Sequence, residues 1–477
     1  MNGVIAHGAY LPHFRLPRRD LGAALGTSAG TGSRSVACYD EDATSMAVEA
    51  ARVALCGVAV RPGRLYFATS VPPYLDRSNA AAVHAALGLD RAALAVDMAG
   101  SPRSAIGALL AAADSPDVTL VVTSDVRIGL PGSGDEREGG DAAAALVFGP
   151  GTPQTPVLAT AVAHASSTDE FLDRWRVPGQ AYSHTWEERF VEHLYRPAAE
   201  ESFAAALKLA ALTPGDIDHL IVCGLSSRSA QQFTRGSGVR PAAVSPTHNN
   251  LIGNPGAAQP ALLLSDVLDR AEPHQTIALV SLADGATTVV FRTTERCRDR
   301  QPAAASLAAQ INGPHRIVSY PTFATWRGML NREPPRRPEP DAPAAPPAHR
   351  SAGYKFGFQA SRCDACHQVN VPPARICYSC GARDQMTPIS LSDVLGTVKT
   401  FTVDRLAYTP SPPMIAAVID FDGGGRFRCE ITDSAIDGIR VGTRVRLTFR
   451  RLLTTGDGVH NYFWKARPVN AEPRGSS

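Results

Sequence analysis

Four cysteines constrain this chain more than any other feature. Cys363, Cys366, Cys377 and Cys380 form two Cys-x2-Cys pairs separated by ten residues. Each pair places two thiolates on one side of a tight knuckle. Two knuckles close a tetrahedral shell of four sulfurs, which suits zinc and leaves no open position for a substrate. Gly381 follows the second pair, where a left-handed residue closes such a turn. The spacing therefore predicts a structural Zn2+ ion. Two disulfides, unligated thiols and an iron centre are the competing outcomes.

At 477 residues the chain is too long for a single core, since domains run to about 100–200 residues. Two or three cores are expected. Hydrophobic residues make up 44% and charged residues 19%, an ordinary balance for a globular protein. Forty-seven basic against 45 acidic residues leave a net charge of +2, which gives no electrostatic case for nucleic acid or an anionic membrane. No apolar run reaches the ~18 residues of a membrane helix, and the N-terminus lacks the basic and apolar regions of a signal peptide. Nine cysteines, an odd number, fit a reducing cytoplasm better than a disulfide framework.

Residues 1–312 alternate apolar runs with Ala-rich runs. Strands are predicted at 65–70, 94–99, 118–124 and 143–148, then at 157–162, 219–223, 276–282 and 287–291. Continuous apolar runs suit strands covered on both faces. Helices are predicted at 44–56, stopping at Gly57, and at 197–212, with Pro197 as a starting residue. This alternation argues for an α/β fold. An internal echo accompanies it. Thr119–Ser124 leads to Asp141–Phe148, and Thr276–Ser281 leads to Asp284–Phe291. In each, a buried strand precedes an Asp-plus-small-residue turn and a second strand, as a duplicated α/β half would leave behind.

Residues 332–352 are rich in Pro, Ala and charge and read as a semi-extended linker. Beyond the cysteines come five short β-like runs, at 396–404, 414–421, 425–431, 440–449 and 462–469. Gly423-Gly424-Gly425 punctuates the second and third as a hairpin. Five strands in so short a stretch suggest a small barrel of the OB type.

Two resemblances become visible at this point. Arg362-Cys-Asp-Ala-Cys-His, Val371-Pro-Pro-Ala-Arg-Ile-Cys-Tyr-Ser-Cys-Gly381 and Gly396-Thr-Val-Lys-Thr-Phe-Thr resemble the rubredoxin-type zinc ribbon plus OB-fold family that accompanies thiolase-like enzymes. Residues 1–312 resemble the thiolase superfamily, and within it the archaeal type of hydroxymethylglutaryl-CoA synthase. That likeness is carried by Tyr39-Asp-Glu-Asp-Ala-Thr-Ser-Met-Ala-Val-Glu-Ala-Ala-Arg52, Thr123-Ser-Asp-Val-Arg127, Pro131-Gly-Ser-Gly-Asp-Glu136 and Gly140-Asp-Ala-Ala-Ala-Ala145. Phe171-Leu-Asp-Arg-Trp-Arg-Val-Pro-Gly-Gln-Ala-Tyr182, Glu188-Arg-Phe190 and Ile252-Gly-Asn-Pro-Gly256 complete it. The resemblance implies a duplicated αβαβα domain at 1–312, with halves of about 1–155 and 156–312. A connector at 313–352, a zinc ribbon at 353–390, an OB-fold at 391–470 and a tail at 471–477 follow. It also implies a homodimer and chemistry on acyl thioesters of coenzyme A or acyl carrier protein.

The family's catalytic set does not carry over intact. Its nucleophilic cysteine, at a helix N-terminus that favours thiolate, falls on Ser101 or Pro102 in Asp97-Met-Ala-Gly-Ser-Pro-Arg. Ser101 alternatively caps the helix, with Pro102 at its first position. The family glutamate should fall near Ser70, in a segment without a carboxylate, and the family histidine is replaced by Cys223. Cys223 is either a relocated nucleophile or a buried structural thiol. The family asparagine persists as Asn254, to orient a water or carbonyl or to hold a turn. His248 is a further candidate base, or a polar loop residue.

Ordinary hydroxymethylglutaryl-CoA synthase activity is therefore not expected. The sequence favours an acyltransferase or condensing-type enzyme with a non-standard site. Its alternatives are a non-catalytic scaffold or binding subunit that partners another thiolase-like enzyme, and an aldolase acting on acyl-CoA. Phe401, Tyr408, Phe421, Phe427 and Tyr462 are positioned to stack bases, yet aromatics on strands more often fill cores, and no nucleic-acid partner is expected.

Overall fold

The computed structural model describes residues 2–28, 30–299, 306–333 and 344–469. The chain divides into two compact units. The first comprises Met1–Cys38, Asp42–Val83 and Leu89–Phe323; the second comprises Tyr39–Glu41, His84–Gly88 and Ala324–Ser477.

A nine-stranded mixed sheet organises the first unit. Its strands are β1 (Gly3–Tyr10), β2 (Arg64–Thr69), β3 (Leu94–Ala99), β4 (Thr119–Asp125), β5 (Ala142–Gly149), β6 (Ala159–Thr168), β7 (His219–Gly224), β8 (Thr276–Leu282) and β9 (Gly285–Thr293). Their order is β7-β8-β9-β6-β1-β5-β4-β2-β3. The expected duplication is visible in it. In the first half β2 runs parallel to β4 and β4 antiparallel to β5; in the second β7 runs parallel to β8 and β8 antiparallel to β9. The two segments of the sequence echo are the corresponding antiparallel pairs, β4–β5 and β8–β9. The halves join through β1 and β6, which share the partners Gly3↔Thr160 and Val4↔Ala159.

Four helices cover the strands: α1 (Ala43–Leu55), α2 (Arg103–Ala113), α3 (Glu188–Ala210) and α4 (Gln259–Arg270). α1 packs on β1, β5 and β4, and α3 on β6, β9 and β8. α2 and α4 meet each other and occupy the layer between the halves. Strand alternation assigns the faces. Ile277 and Leu279 of β8 join the core around α2 and α4, whereas Ala278 and Val280 join the core around α3. The result is the expected αβαβα layering. α1 begins at a capping box in which Asp42 and Ser45 each bond the other's backbone N–H.

Two differences from the sequence reading in the first unit have a clear packing cause. β1 is a central, wholly buried strand that the apolar-run criterion passes over, because it is built of Gly-Val-Ile-Ala-His-Gly-Ala-Tyr. Its Gly8 is required by close packing: a Cβ there would lie 2.5 Å from Ala54 N and 2.8 Å from Ala50 O of α1. α3 begins at Glu188 rather than at Pro197, so the proline lies inside the helix. Val191, Tyr195, Ala198, Ala199, Phe203, Ala206 and Leu207 form one buried stripe across Pro197, and that burial outweighs the lost hydrogen bond.

The second unit holds two small β structures. β10 (Gln359–Cys363) pairs with β11 (Val369–Asn370) and β12 (Met386–Ser390) in a three-stranded ribbon. β13 (Gly396–Asp404), β14 (Met414–Phe421), β15 (Arg426–Ile431), β16 (Arg444–Thr454) and β17 (His460–Pro468) close a barrel in the order β13-β14-β15-β17-β16. Gly423, Gly424 and Gly425 all have positive φ and turn β14 into β15. Phe421, Phe427 and Tyr462 are buried, in a core with Phe358, Phe449 and Trp464. Tyr408 is exposed and Phe401 half-buried. Of the expected linker, residues 334–343 lie outside the described residues, as do 470–477. The end of the linker is helical rather than semi-extended, at Ala345–Arg350 and Ala352–Gly357; Pro346 and Pro347 stand at the first positions of the former, where a missing N–H costs nothing.

Candidate functional site

The candidate site forms where strands of both halves end. β3 runs out at Ala99, and Gly100, at φ +115°, turns the chain towards α2. Ser101 sits in that turn. Its Oγ accepts a hydrogen bond from Arg103 N–H at 3.2 Å, but α2 begins at Arg103 with Pro102 as its N-cap, so Ser101 stands one residue ahead of the expected capping position. The same hydroxyl donates to Asp284 Oδ2 at 2.5 Å. Asp284 forms the tip between β8 and β9, in the left-handed region at φ +47°. Arg103 holds this tip from below, donating to the carbonyls of Ala283 and Asp284 and to Thr168 Oγ1. The sequence reading passed over Asp284 as a site residue, although the internal echo contained it. The equivalent Asp141 of the first half is wholly buried and accepts from the backbone N–H of Ala37 at 2.7 Å and of Arg127 at 2.8 Å.

Ser101 and Asp284 line a cavity of about 1130 Å³. Its other walls include residues 70–78, Asp97, Arg127, residues 173–181, Ser183 and Tyr195. Tyr195 donates to Asp173 Oδ2 at 2.8 Å and accepts from the Asp284 backbone. Burial pushes the Asp173 carboxyl above the usual carboxylate range, and the nearby Asp284 charge adds to the rise, against the Tyr195 bond and Arg174. Burial, with Asp173 beside it, likewise raises the Tyr195 phenol.

A guanidinium group borders the end of β2. Arg176 donates to the carbonyl oxygen of Ser70 at 2.5 Å. Arg127 and Arg174 share Asp135, with Arg127 at 3.5 Å. Ser70 itself donates to Asp125 Oδ2 at 2.7 Å. Asp125 is a buried carboxylate from β4 that also accepts from Thr69 Oγ1 and from the backbone of Ser70 and Ala257. Ser70, where the resemblance implies a glutamate, thus has a carboxylate beside it, fully engaged in hydrogen bonds.

The other sequence candidates lie away from this cavity. Cys223 is 1% exposed, packed among the residues around α4. Its thiol donates to Val280 O, and burial pushes it up to about 12. A thiol held protonated there is not a nucleophile at neutral pH. The Asn254 side chain donates to Gly224 O at 2.8 Å and accepts from Gly256 N at 3.0 Å, so its amide holds the turn. His248 pairs with Asp266 at 3.2 Å. Despite burial, that histidine and Arg270 hold the Asp266 carboxyl below its usual range. Neither Cys223, Asn254 nor His248 lines the cavity with Ser101.

The ribbon of the second unit brings its four cysteines together. Cys363 and Cys380 sulfurs lie 3.7 Å apart, and those of Cys366 and Cys377 3.6 Å apart. All four lie within 4.8 Å of one another. Those separations exceed the ~2.05 Å of a disulfide. They fit the edges of a tetrahedron with metal–sulfur bonds of ~2.3 Å, about 3.8 Å. His367 at φ +61° and Gly381 at φ +75° follow the two knuckles in matching left-handed conformations. The cluster can therefore hold a metal ion.

Comparison with known proteins agrees with this architecture. Residues 391–450 match the C-terminal OB-fold domain of ChsH2. The hydroxymethylglutaryl-CoA synthase of Aeropyrum pernix is 28% identical over 352 residues, covering 69% of this chain and 94% of that protein. Its counterpart in Methanopyrus kandleri is 26% identical over 351 residues, covering 69% and 97%. A hydroxymethylglutaryl-CoA synthase solved in complex with CoA superposes with a TM-score of 0.59 at 17% identity, covering 68% of this chain and 89% of that one. The 3-oxoacyl-(acyl carrier protein) synthase III of Pseudomonas aeruginosa gives 0.55 at 21% identity, covering 61% and 98%. The first unit is thus similar to hydroxymethylglutaryl-CoA synthases and has the thiolase-like fold. The second carries a four-cysteine cluster ahead of an OB-fold.

Proposed function

We propose that this protein transfers acyl groups from a thioester of coenzyme A or acyl carrier protein, with Ser101 as nucleophile and Asp284 as its base. One observation carries the reading: the Ser101 hydroxyl donates to a carboxylate inside a cavity of about 1130 Å³. A serine alone is a poor replacement for a thiolate, and a neighbouring base is what it needs. In the proposed step Ser101 Oγ bonds to the thioester carbonyl carbon while its proton passes to Asp284. The carbon–sulfur bond breaks, and the proton returns to the departing thiolate. An acceptor hydroxyl, amine, carbanion or water then takes the acyl group and frees Ser101. The N-terminus of α2 lies beside the reacting oxygen, where its dipole favours developing negative charge.

The kinship with synthases acting on acyl thioesters supports the substrate class. Incubating the full chain with a panel of acyl-CoA thioesters and recording intact mass tests it. An acyl adduct mapped to Ser101, absent in Ser101→Ala, is the expected result; an adduct elsewhere overturns the assignment.

A second reading is a non-catalytic thiolase-like binding subunit. It draws on Cys223, Asn254 and His248, whose polar groups are all engaged away from the cavity. Thioester binding without adduct or turnover, together with co-purification of another acyl-transfer enzyme, would favour it.

We assign the cysteine cluster to zinc, because four thiolates in a closed shell suit that ion. Such an ion contributes folding energy to the ribbon. A cytoplasmic homodimer is part of the same proposal, and light scattering tests the dimer.

A further inference from the structure

We propose that Arg176 is a receptor for a carboxylate carried by one of the two reacting molecules, either the acid end of the acyl group or an acid group on the acceptor. The inference rests on reading the cavity as the thioester site and names what that site selects.

Among the charged groups lining the cavity, Asp76 and Arg77 are exposed to solvent, with Arg77 over the Tyr74 ring, while Asp97 accepts from Asn79 and Ala80, Asp173 from Tyr195 and Asp284 from Ser101. Arg127 and Arg174 share Asp135. Arg176 is different. Among the described residues it forms no ion pair, and its hydrogen bond goes to a neutral carbonyl, that of Ser70. Asp125, the carboxylate that acts on it electrostatically, already accepts four hydrogen bonds through its two oxygens. A guanidinium offers five N–H donors in a fixed fork that matches a carboxylate. Here most of that fork is unspent, and the residue is half-buried in a cavity wall. A half-buried cation without an anion is costly, and a bound anion relieves the cost.

Position narrows the anion. Thr69 is the register partner of Ala99, and Gly100 N–H donates to Thr69 O at 3.3 Å. Ser70 and Ser101 therefore leave the sheet on neighbouring strands, about 4.8 Å apart. Arg176, anchored on Ser70, stands next to the proposed reacting centre. The phosphates of coenzyme A are separated from the thioester by the whole pantetheine arm and do not reach that far in. A carboxylate close to the thioester carbon, or on the molecule attacking it, does.

The test uses the full chain and isothermal titration with succinyl-CoA, butyryl-CoA, free coenzyme A and free glutarate. Charge-assisted pairing predicts that succinyl-CoA binds about 10- to 100-fold more tightly than butyryl-CoA. Arg176→Gln should bring that ratio to near one, and Arg176→Lys should keep part of it. If the two acyl-CoAs bind alike, glutarate or glycine titrated onto the butyryl-CoA complex should bind, and this binding should vanish in Arg176→Gln; the carboxylate then belongs to the acceptor. Equal weakening of all coenzyme A ligands in Arg176→Gln, or no carboxylate-dependent binding in either arrangement, overturns the proposal. If no coenzyme A ligand binds while glutarate does so through Arg176, the thioester reading fails and the carboxylate receptor stands.

Discussion

Ser101 Oγ and Asp284 Oδ2 lie 2.5 Å apart although 183 residues separate them in the chain. The contact joins the end of β3 in one half of the duplicated domain to the β8–β9 tip in the other. As the proposed serine–base pair it carries a kinetic expectation. Asp284→Asn preserves the left-handed backbone, which asparagine tolerates, and removes the base. Acyl transfer, followed as thiol release, should fall about 10²- to 10⁴-fold. Ser101→Ala should abolish the covalent adduct. Unchanged rates in both variants would remove the pair from the chemistry.

Cys223 should be chemically silent in the folded protein. Burial holds its pKa at about 12, against an ordinary value of 9.0. Iodoacetamide at pH 8 should leave it unmodified while labelling exposed Cys56. The sign of the pH effect follows from linkage. The unfolded thiol ionises from pH 9 while the folded one keeps its proton, so its contribution to stability is full below pH 9. It falls by about 1.4 kcal/mol per pH unit above it. Urea melts of Cys223→Ala should show a shallower alkaline decline than the parent chain.

Removing metal should unfold the ribbon selectively. Elemental analysis should give one zinc per chain, and Cys377→Ser or a strong chelator should remove it. Structural zinc is worth about 10–16 kcal/mol in small modules, so the ribbon strands should lose amide-exchange protection. Stoichiometric iron would reassign the ion, and no metal at all would refute the site.

Two glycines make a matched test of packing. Gly8→Ala forces a Cβ to within 2.5 Å of Ala54 N and should destabilise the first unit by about 1–3 kcal/mol. Gly107 lies inside α2 with open space at its Cβ position. There alanine should add up to about 1 kcal/mol by helix propensity. Thermal melts read both.

Much of the architecture was legible because burial leaves a local signature. Val- and Leu-rich runs marked β4 and β8, and the Cys-x2-Cys spacing marked the ribbon. β1 was hidden because its place in the sheet centre is set by what packs on it: small residues let α1 approach, and no apolar run is required. The start of α3 was hidden because Pro197 is a strong local signal overruled by a buried stripe on both sides of it. The site was legible by halves. Ser101 announces itself beside a helix start, whereas Asp284 acquires meaning only from strand order, since nothing local distinguishes it from Asp141.

That pair of aspartates shows a division of labour. A duplicated fold supplies each local device twice, and redundancy lets the copies diverge. Asp141 is committed to architecture, its oxygens taken up by backbone N–H groups of Ala37 and Arg127. Asp284, with its backbone tip secured by Arg103 and Tyr195, keeps a carboxylate oxygen for Ser101. In the proposed mechanism robustness and reactivity thus reside on separate copies of one motif, and selection can tune the second without disturbing the first.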